Sequence, residues 1–466
     1  MMPLKGYIAS MRRLMCLLLI MVLSFSHVAT PSYAQSSSAP VLIRDTEIEE
    51  VFKEWAEPLL KEAKIPKDSV NIILVQSNEI NAFVAGGANI FFYTGLIKKT
   101  DGPEEILGVL AHEIGHIAGG HLIKTRDAME RASYESIVGM VLGIGAAIAS
   151  GQGGAASAII QGTQQTALRR FLAHSRINES SADQAAFSYL KGAGITPRGL
   201  SSFFDKLKSQ ELLPSTQQSE YMRTHPITRN RVEAVDVLIA KEPELRDKPL
   251  PQAWVRDHAR MKAKLIGFIN PGQVAWNYDD LDTSVPARYA RSIAAYKHND
   301  IDKAIDLLNG LIEQEPNNPY FYELKGQILL EFSRVKESLA PYKRAIELKP
   351  DAALIRMAYA HALIESGADQ ARYKEAAEHL EFALTKERYS SRVHRLLATA
   401  YGRLGQENLA KLHLAEEAVL TRRLPYARAQ AASVLEKAPQ GSREWIKAKD
   451  VLVHIENLMQ AQASRG

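Results

Sequence analysis

Cysteine is nearly missing from this chain: among 466 residues the only one is Cys16. It lies in a stretch that reads as a removable leader, so the processed protein has no thiol. That excludes a disulfide framework, a thiol nucleophile and thiolate-held metal. An excess of either charge is missing as well. The formal net charge is +4, and Lys5, Arg12 and Arg13 of the leader account for most of it. No basic surplus remains to hold nucleic acid, which is not an expected partner. Long apolar runs are short of membrane length. Leu14 to Phe25 falls below the ~20 residues that a spanning helix needs. With the basic residues before it and small Ser32 and Ala34 after it, this run predicts a signal peptide over residues 1–34 and an exported chain beginning at Gln35. Cys16 precedes most of the apolar run, so a lipid anchor is not expected. The chain from Gln35 onward is long enough for two or more cores.

Charge is missing in a second sense from Ser136 to Leu168, a stretch without one ionisable carboxylate, lysine or arginine. Three readings fit it: a membrane hairpin, a buried helix pair, or a flap hinged at Gly151, Gly153 and Gly154. Each apolar half is short for a span. The flap reading is preferred because the segment falls between two candidate metal motifs, and it includes contact with a membrane surface or an unfolded client.

What is present centres on Asp101 to His121. Asp101 is a candidate helix cap, Pro103 suits a first turn, and Glu104 sits where a capping box wants an acid. Leu107, Leu110, Ile114 and Ile117 recur at helical spacing, and Gly119 and Gly120 predict the end. Inside lies His112-Glu113-Ile114-Gly115-His116. Residues four apart share a helix face, so His112 and His116 can hold one Zn²⁺ per chain with Glu113 beside it as general base. A histidine in the third-ligand position of one such class would fall at 122, which is Leu; His121 is one residue off. The other source is a carboxylate. Glu179 and Asp183 are four apart in Ser175-Arg176-Ile177-Asn178-Glu179-Ser180-Ser181-Ala182-Asp183. Glu179 completes a two-histidine, one-glutamate set, and Asp183 orients a ligand imidazole, so Asp183 joins Glu113 among the catalytic candidates. His121 and His174 read as structural or supporting.

These motifs resemble the HtpX/BepA-type zinc metallopeptidases, and Thr224-His225-Pro226 with Arg231 continues the likeness, which spans roughly residues 45–240. The resemblance implies a metal-site role for His225. It occupies the open zinc position at rest, or stabilises the oxyanion during turnover, or is structural. His225 precedes a proline and so belongs to an extended or turn segment.

Around the motifs, Ile43 to Lys64 predicts a helix and Asn71 to Gln76 a strand. Asn81 to Leu96 predicts a hairpin around Gly86-Gly87, either plain core sheet or an edge that pairs with extended substrate. Residues 241–285 turn polar and proline-containing. Beyond them a period of 34 residues appears: Glu315-Pro316 and Lys349-Pro350, Ala304 and Ser338, Gly326 and Ala360. After a four-residue insertion near 368–372 it resumes at Ala376 and Ala410, and at Ala398 and Ala432. This is the tetratricopeptide period, which builds a concave protein-binding surface.

The expected architecture is a mainly α, α+β zincin-type protease domain with a small sheet over 35–260, a connector over 261–285 and an all-α repeat solenoid over 286–466. The repeats narrow the resemblance to its BepA-like members. They imply a periplasmic zinc endopeptidase in quality control and assembly of outer-membrane β-barrel proteins. Its implied partners are stalled or misfolded outer-membrane proteins and, through the repeats, the β-barrel assembly machinery. The rival reading is a chaperone or adaptor that works through the repeats with a little-used metal site.

Overall fold

The computed structural model describes residues 41–121, 175–214, 217–367 and 369–463. The expected leader, the uncharged segment 136–168 and His174 lie outside the described residues. No described helix is long and apolar enough to cross a membrane.

The N-terminal portion starts with a four-stranded sheet in the order β1-β2-β4-β3. Its strands are β1 (Leu42–Ile43), β2 (Asn71–Val75), β3 (Ala82–Ala85) and β4 (Asn89–Tyr93). β2 and β4 run parallel; the outer pairs are antiparallel. Gly86 and Gly87 both take positive φ (59° and 100°) in the three-residue hairpin loop 86–88, a conformation that glycine adopts without strain. The first helix begins later than Ile43. Asp45 caps α1 (Thr46–Glu62) by accepting from the Ile48 N–H at 2.9 Å, and this frees residues 42–43 to pair with β2. Phe52 of α1 packs on Phe92 of β4 with ring centroids 4.8 Å apart, which covers one sheet face.

α2 (Thr94–Lys99) leads into α3 (Pro103–Ala118), which is buried along most of its length. The expected capping box is out of register. Gly102 is the cap residue, and Asp101 instead pairs with Lys206 at 2.7 Å. Glu105, not Glu104, reaches back to the Asp101 N–H at 2.9 Å. Pro103 at the first helical position sets this register, because its ring prescribes φ and it has no N–H to satisfy. Gly120 ends the helix at φ 61°.

Three further stretches close around α3: α4 (175–192), α5 (Arg198–Leu207), and α6 (Glu220–Thr224) with α7 (Arg229–Ala240). Gly115 explains how near α4 comes. A β-carbon there would lie 2.9 Å from the Ala182 carbonyl oxygen, so the two backbones touch between the paired ligand candidates of each helix.

After α8 (Pro243–Arg246) comes α9 (Gln252–Ile269), which serves two cores. Met261 and Leu265 join the protease interior; Ala263 and Ile266 pack with Ala290 and Ala294 of the repeats. After α10 (Val274–Asn277) five helix pairs follow. They are α11 (Val285–Lys297) with α12 (Ile301–Gln314), α13 (Pro319–Glu331) with α14 (Val335–Leu348), α15 (Ala353–Glu365) with α16 (Gln370–Lys386), α17 (Ser391–Arg403) with α18 (Glu407–Leu420), and α19 (Leu424–Lys437) with α20 (Arg443–Ala463). Ala304, Ser338, Ala360 and Ala376 are fully buried at the helix crossings. The insertion goes largely into α16, which has 17 residues where α14 has 14. Ala432 departs from the register: it is exposed, and Ala431 is buried instead. Here Ala427, Ala431 and Val434 form the buried stripe of α19, and Ala427 and Ala431 pack in one cluster with Val451 and Ile455 of α20.

Candidate active site

α3 supplies His112, Glu113 and His116; α4 supplies Glu179 and Asp183; the turn after α6 supplies His225; α7 supplies Arg231. The fold brings all seven together in the protease interior. His112 and Glu113 are fully buried, and Glu179, Asp183, His225 and Arg231 nearly so.

The Nε2 atoms of His112 and His116 are 3.1 Å apart. Glu179 Oε2 lies 3.4 Å from the first and Oε1 lies 3.5 Å from the second. His225 Nδ1 is 3.2 Å from both Glu179 oxygens. One donor from each of His112, His116, Glu179 and His225 falls within 4.8 Å of all the others. Tetrahedral zinc with donors at about 2.0–2.2 Å needs donor separations of about 3.3–3.6 Å, so the 3.1–3.5 Å spacings among His112, His116 and Glu179 are close to what the ion needs. The chemistry fits too, since imidazole nitrogens converging with a carboxylate want a cation among them.

Second contacts orient the ligands. His112 Nδ1 stands 2.9 Å from Asp183 Oδ1. Arg231 grips both Asp183 oxygens, at 2.7 Å from Nε and 2.8 Å from Nη2. Its Nη1 lies 3.0 Å from Glu179 Oε2 and donates to the Pro226 carbonyl at 2.8 Å, which ties the His225-Pro226 turn to α4. His121, one residue off the ligand register, still reaches the back of His116, with Nδ1 atoms 3.0 Å apart.

The electrostatics follow from burial against pairing. Burial alone would lower His112, but the Asp183 and Glu179 carboxylates raise it to about 9. His116 has less help, and burial with the neighbouring imidazoles holds it well below its usual value, as a neutral ligand. Burial would raise Glu179, yet His225 and His112 pull it well below the carboxylate range. Glu113 goes the other way: burial pushes it up, and among the described residues neither of its oxygens has a hydrogen-bond partner, though Oε1 stands 3.6 Å from His225 Nε2. A wholly buried carboxylate without a hydrogen bond suits a group that meets its proton only during turnover.

Sequence reasoning named each of these residues except Tyr221. Its ring lies 4.8 Å from His225, and its N–H donates to Ile80 just before β3 at 3.1 Å. A lone tyrosine ahead of a histidine has no spacing signature. β3 is the outermost strand of the sheet.

A buried set of two histidines and a glutamate with a second buried carboxylate beside it, on an α+β scaffold, defines a zinc metalloendopeptidase. Residues 43–239 match Peptidase family M48, and residues 289–353 match the tetratricopeptide repeat, so the chain joins an M48 domain to a repeat array. It is homologous to the beta-barrel assembly-enhancing protease of Escherichia coli (strain K12), at 27% identity over 413 residues, which cover 87% of this chain and 82% of that one. The protein of the same description from Yersinia pestis is 26% identical over 337 residues, 71% of this chain and 68% of the other. Metalloprotease LoiP of Escherichia coli (strain K12) is 28% identical over 173 residues, 36% of this chain and 61% of its own.

Proposed function

We propose that the chain is an exported, periplasmic endopeptidase that acts on stalled or misfolded outer-membrane β-barrel proteins, with its repeats holding it to the assembly machinery. The relatives described as beta-barrel assembly-enhancing proteases support the setting. The observation that carries the chemistry is the buried cluster of His112, His116 and Glu179 beside the buried Glu113, whose oxygens accept no hydrogen bond among the described residues. In this reading the protease domain spans 35–260 and the repeats 286–466.

His112, His116 and Glu179 hold the zinc, which when bound polarises a carbonyl and acidifies water. Glu113 takes the water proton and delivers it to the leaving amine. Asp183 fixes the His112 ring, and Arg231 fixes Asp183. His225 completes the ligand set at rest and must withdraw with its Pro226 turn before substrate enters. The β3 edge offers backbone groups to an extended substrate.

The test compares three full-length variants on casein with zinc analysis of each. Glu179→Gln is expected to lose zinc. Glu113→Gln keeps zinc and loses hydrolysis by about 10²–10⁴-fold. His225→Ala keeps zinc and cuts casein faster than wild type. A Glu113→Gln protein that retains full biological activity would give the function to the repeats alone, and a His225→Ala rate well below wild type would reject the resting-ligand role.

A further inference from the structure

Tyr221 of α6 lies four residues before His225, the residue that follows the helix, and the two rings lie 4.8 Å apart. Its backbone is pinned: the N–H donates to Ile80, and the carbonyl accepts from the His225 N–H at 2.7 Å. The ring is held between His225 and the edge of Phe203, whose centroid is 5.1 Å away. The side chain is fully buried, and among the described residues the phenolic oxygen has no hydrogen-bond partner.

That combination is uncommon. A buried tyrosine hydroxyl usually finds a partner, and leaving it idle is unfavourable. Phenylalanine would fill the same space without that cost. A phenol keeps its proton at neutral pH, so the hydroxyl acts as a donor. Glu113 Oε1 and His225 Nε2 face each other at 3.6 Å. The Arg231 guanidinium is spent on Asp183, Glu179 and Pro226. A transition state that gains negative charge on oxygen therefore has the Tyr221 hydroxyl as an uncommitted donor here.

We propose that Tyr221 donates its phenolic hydrogen bond to the scissile carbonyl oxygen as that carbon becomes tetrahedral. The proposal rests on the peptidase reading. A water oxygen bonds to the carbonyl carbon, and the C=O π pair moves onto oxygen. Glu113 takes the water proton and passes it to the amine nitrogen as the C–N bond breaks. Tyr221 keeps its proton throughout, and its hydrogen bond is stronger to the charged oxygen than to the neutral carbonyl. This assigns the oxyanion to Tyr221 and leaves His225 its resting role.

The experiment is Tyr221→Phe in the full-length, zinc-loaded chain, read by casein kinetics, zinc content, thermal melting and calorimetric binding of a peptide phosphonamidate, a tetrahedral analogue. Expected are a kcat lowered about 10²-fold, a KM within about twofold, and phosphonamidate affinity lowered in step with kcat. Zinc is retained and the melting temperature does not fall. Unchanged kcat and analogue affinity overturn the proposal, as does loss of zinc or a lowered melting temperature accompanying the loss of rate. Replacing Tyr221 by 3,5-difluorotyrosine, which keeps the fold and sharpens the donor, should retain rate and analogue affinity where phenylalanine loses them; equal loss in both overturns it. A wild-type chain that neither cuts casein nor binds the analogue overturns the peptidase reading and this proposal with it. An active wild type matched by Tyr221→Phe overturns the proposal alone.

Discussion

Around α3 the helices of the protease meet through charge: Asp183 and Glu179 of α4 face Arg231 of α7 and the imidazoles of α3, all away from water. Along the repeats the helices meet mostly through alanine and tyrosine, as where Gly326 of α13 lies under the Tyr342 ring of α14. The first arrangement assembles residues from 112 to 231; the second joins each helix to the next. Burying charge is costly unless each group is paired, so the first region holds an arrangement that no apolar core would, at the expense of tolerance to change. The second region tolerates change wherever the crossing leaves room. At the join the two styles mix. Glu47 of α1 is buried among Arg260 at 3.0 Å, Lys264 at 3.2 Å and the Tyr289 hydroxyl at 3.1 Å.

Arg231→Ala should have the largest effect on stability. It leaves Asp183 and Glu179 buried without their cation, a loss of about 3–5 kcal/mol in the zinc-free chain, read by denaturant unfolding. A loss below about 1 kcal/mol would mean that the polar core is no less tolerant than the repeats. Glu47→Ala comes next, at about 3 kcal/mol, because Lys264 keeps only Asp45, at 2.7 Å. Since Glu47 touches both regions, calorimetry should show protease and repeats melting together at a lower temperature. Two separated transitions would show that the join does not couple them.

Glu323 sharpens the contrast within the repeats. Burial pushes it up to about 8, and Oε2 has no partner. Between the ordinary carboxylate range and about 8 the folded chain holds a proton that the unfolded chain has released. Its contribution to stability therefore falls as pH rises through that window, by at most about 1.4 kcal/mol per unit. Glu323→Gln should flatten the slope of unfolding free energy against pH; an unaltered slope would place its cause elsewhere. The smallest effects separate two glycines of the same array. A β-carbon at Gly326 would lie 2.8 Å from the Tyr342 ring, so Gly326→Ala should cost about 1–3 kcal/mol. At Gly402 it would meet only the Ala410 β-carbon at 4.0 Å, and Gly402→Ala should stabilise by about 0.5–1 kcal/mol through helix propensity. Equal melting shifts would remove the distinction.

Periodic features were legible in the sequence itself. Helical spacing four apart placed His112 with His116 and Glu179 with Asp183, because an α-helix prescribes which residues share a face. The 34-residue period placed Ala304 with Ser338 because stacked helix pairs repeat their crossings. The Gly86-Gly87 hairpin followed from the positive φ that only such residues adopt readily. Tertiary structure decided the rest. Glu105 displaced Asp101 and Glu104 from the capping role through the register that Pro103 imposes. Ala431 took the buried place expected of Ala432 because the last pair packs on a different stripe. Glu47 found Lys264 and Tyr289 more than two hundred residues away, and Tyr221 came to rest between the rings of Phe203 and His225. Such contacts repeat at no interval and need no particular spacing, so nothing along the chain marks them; they exist only once helices from distant segments have closed on one another.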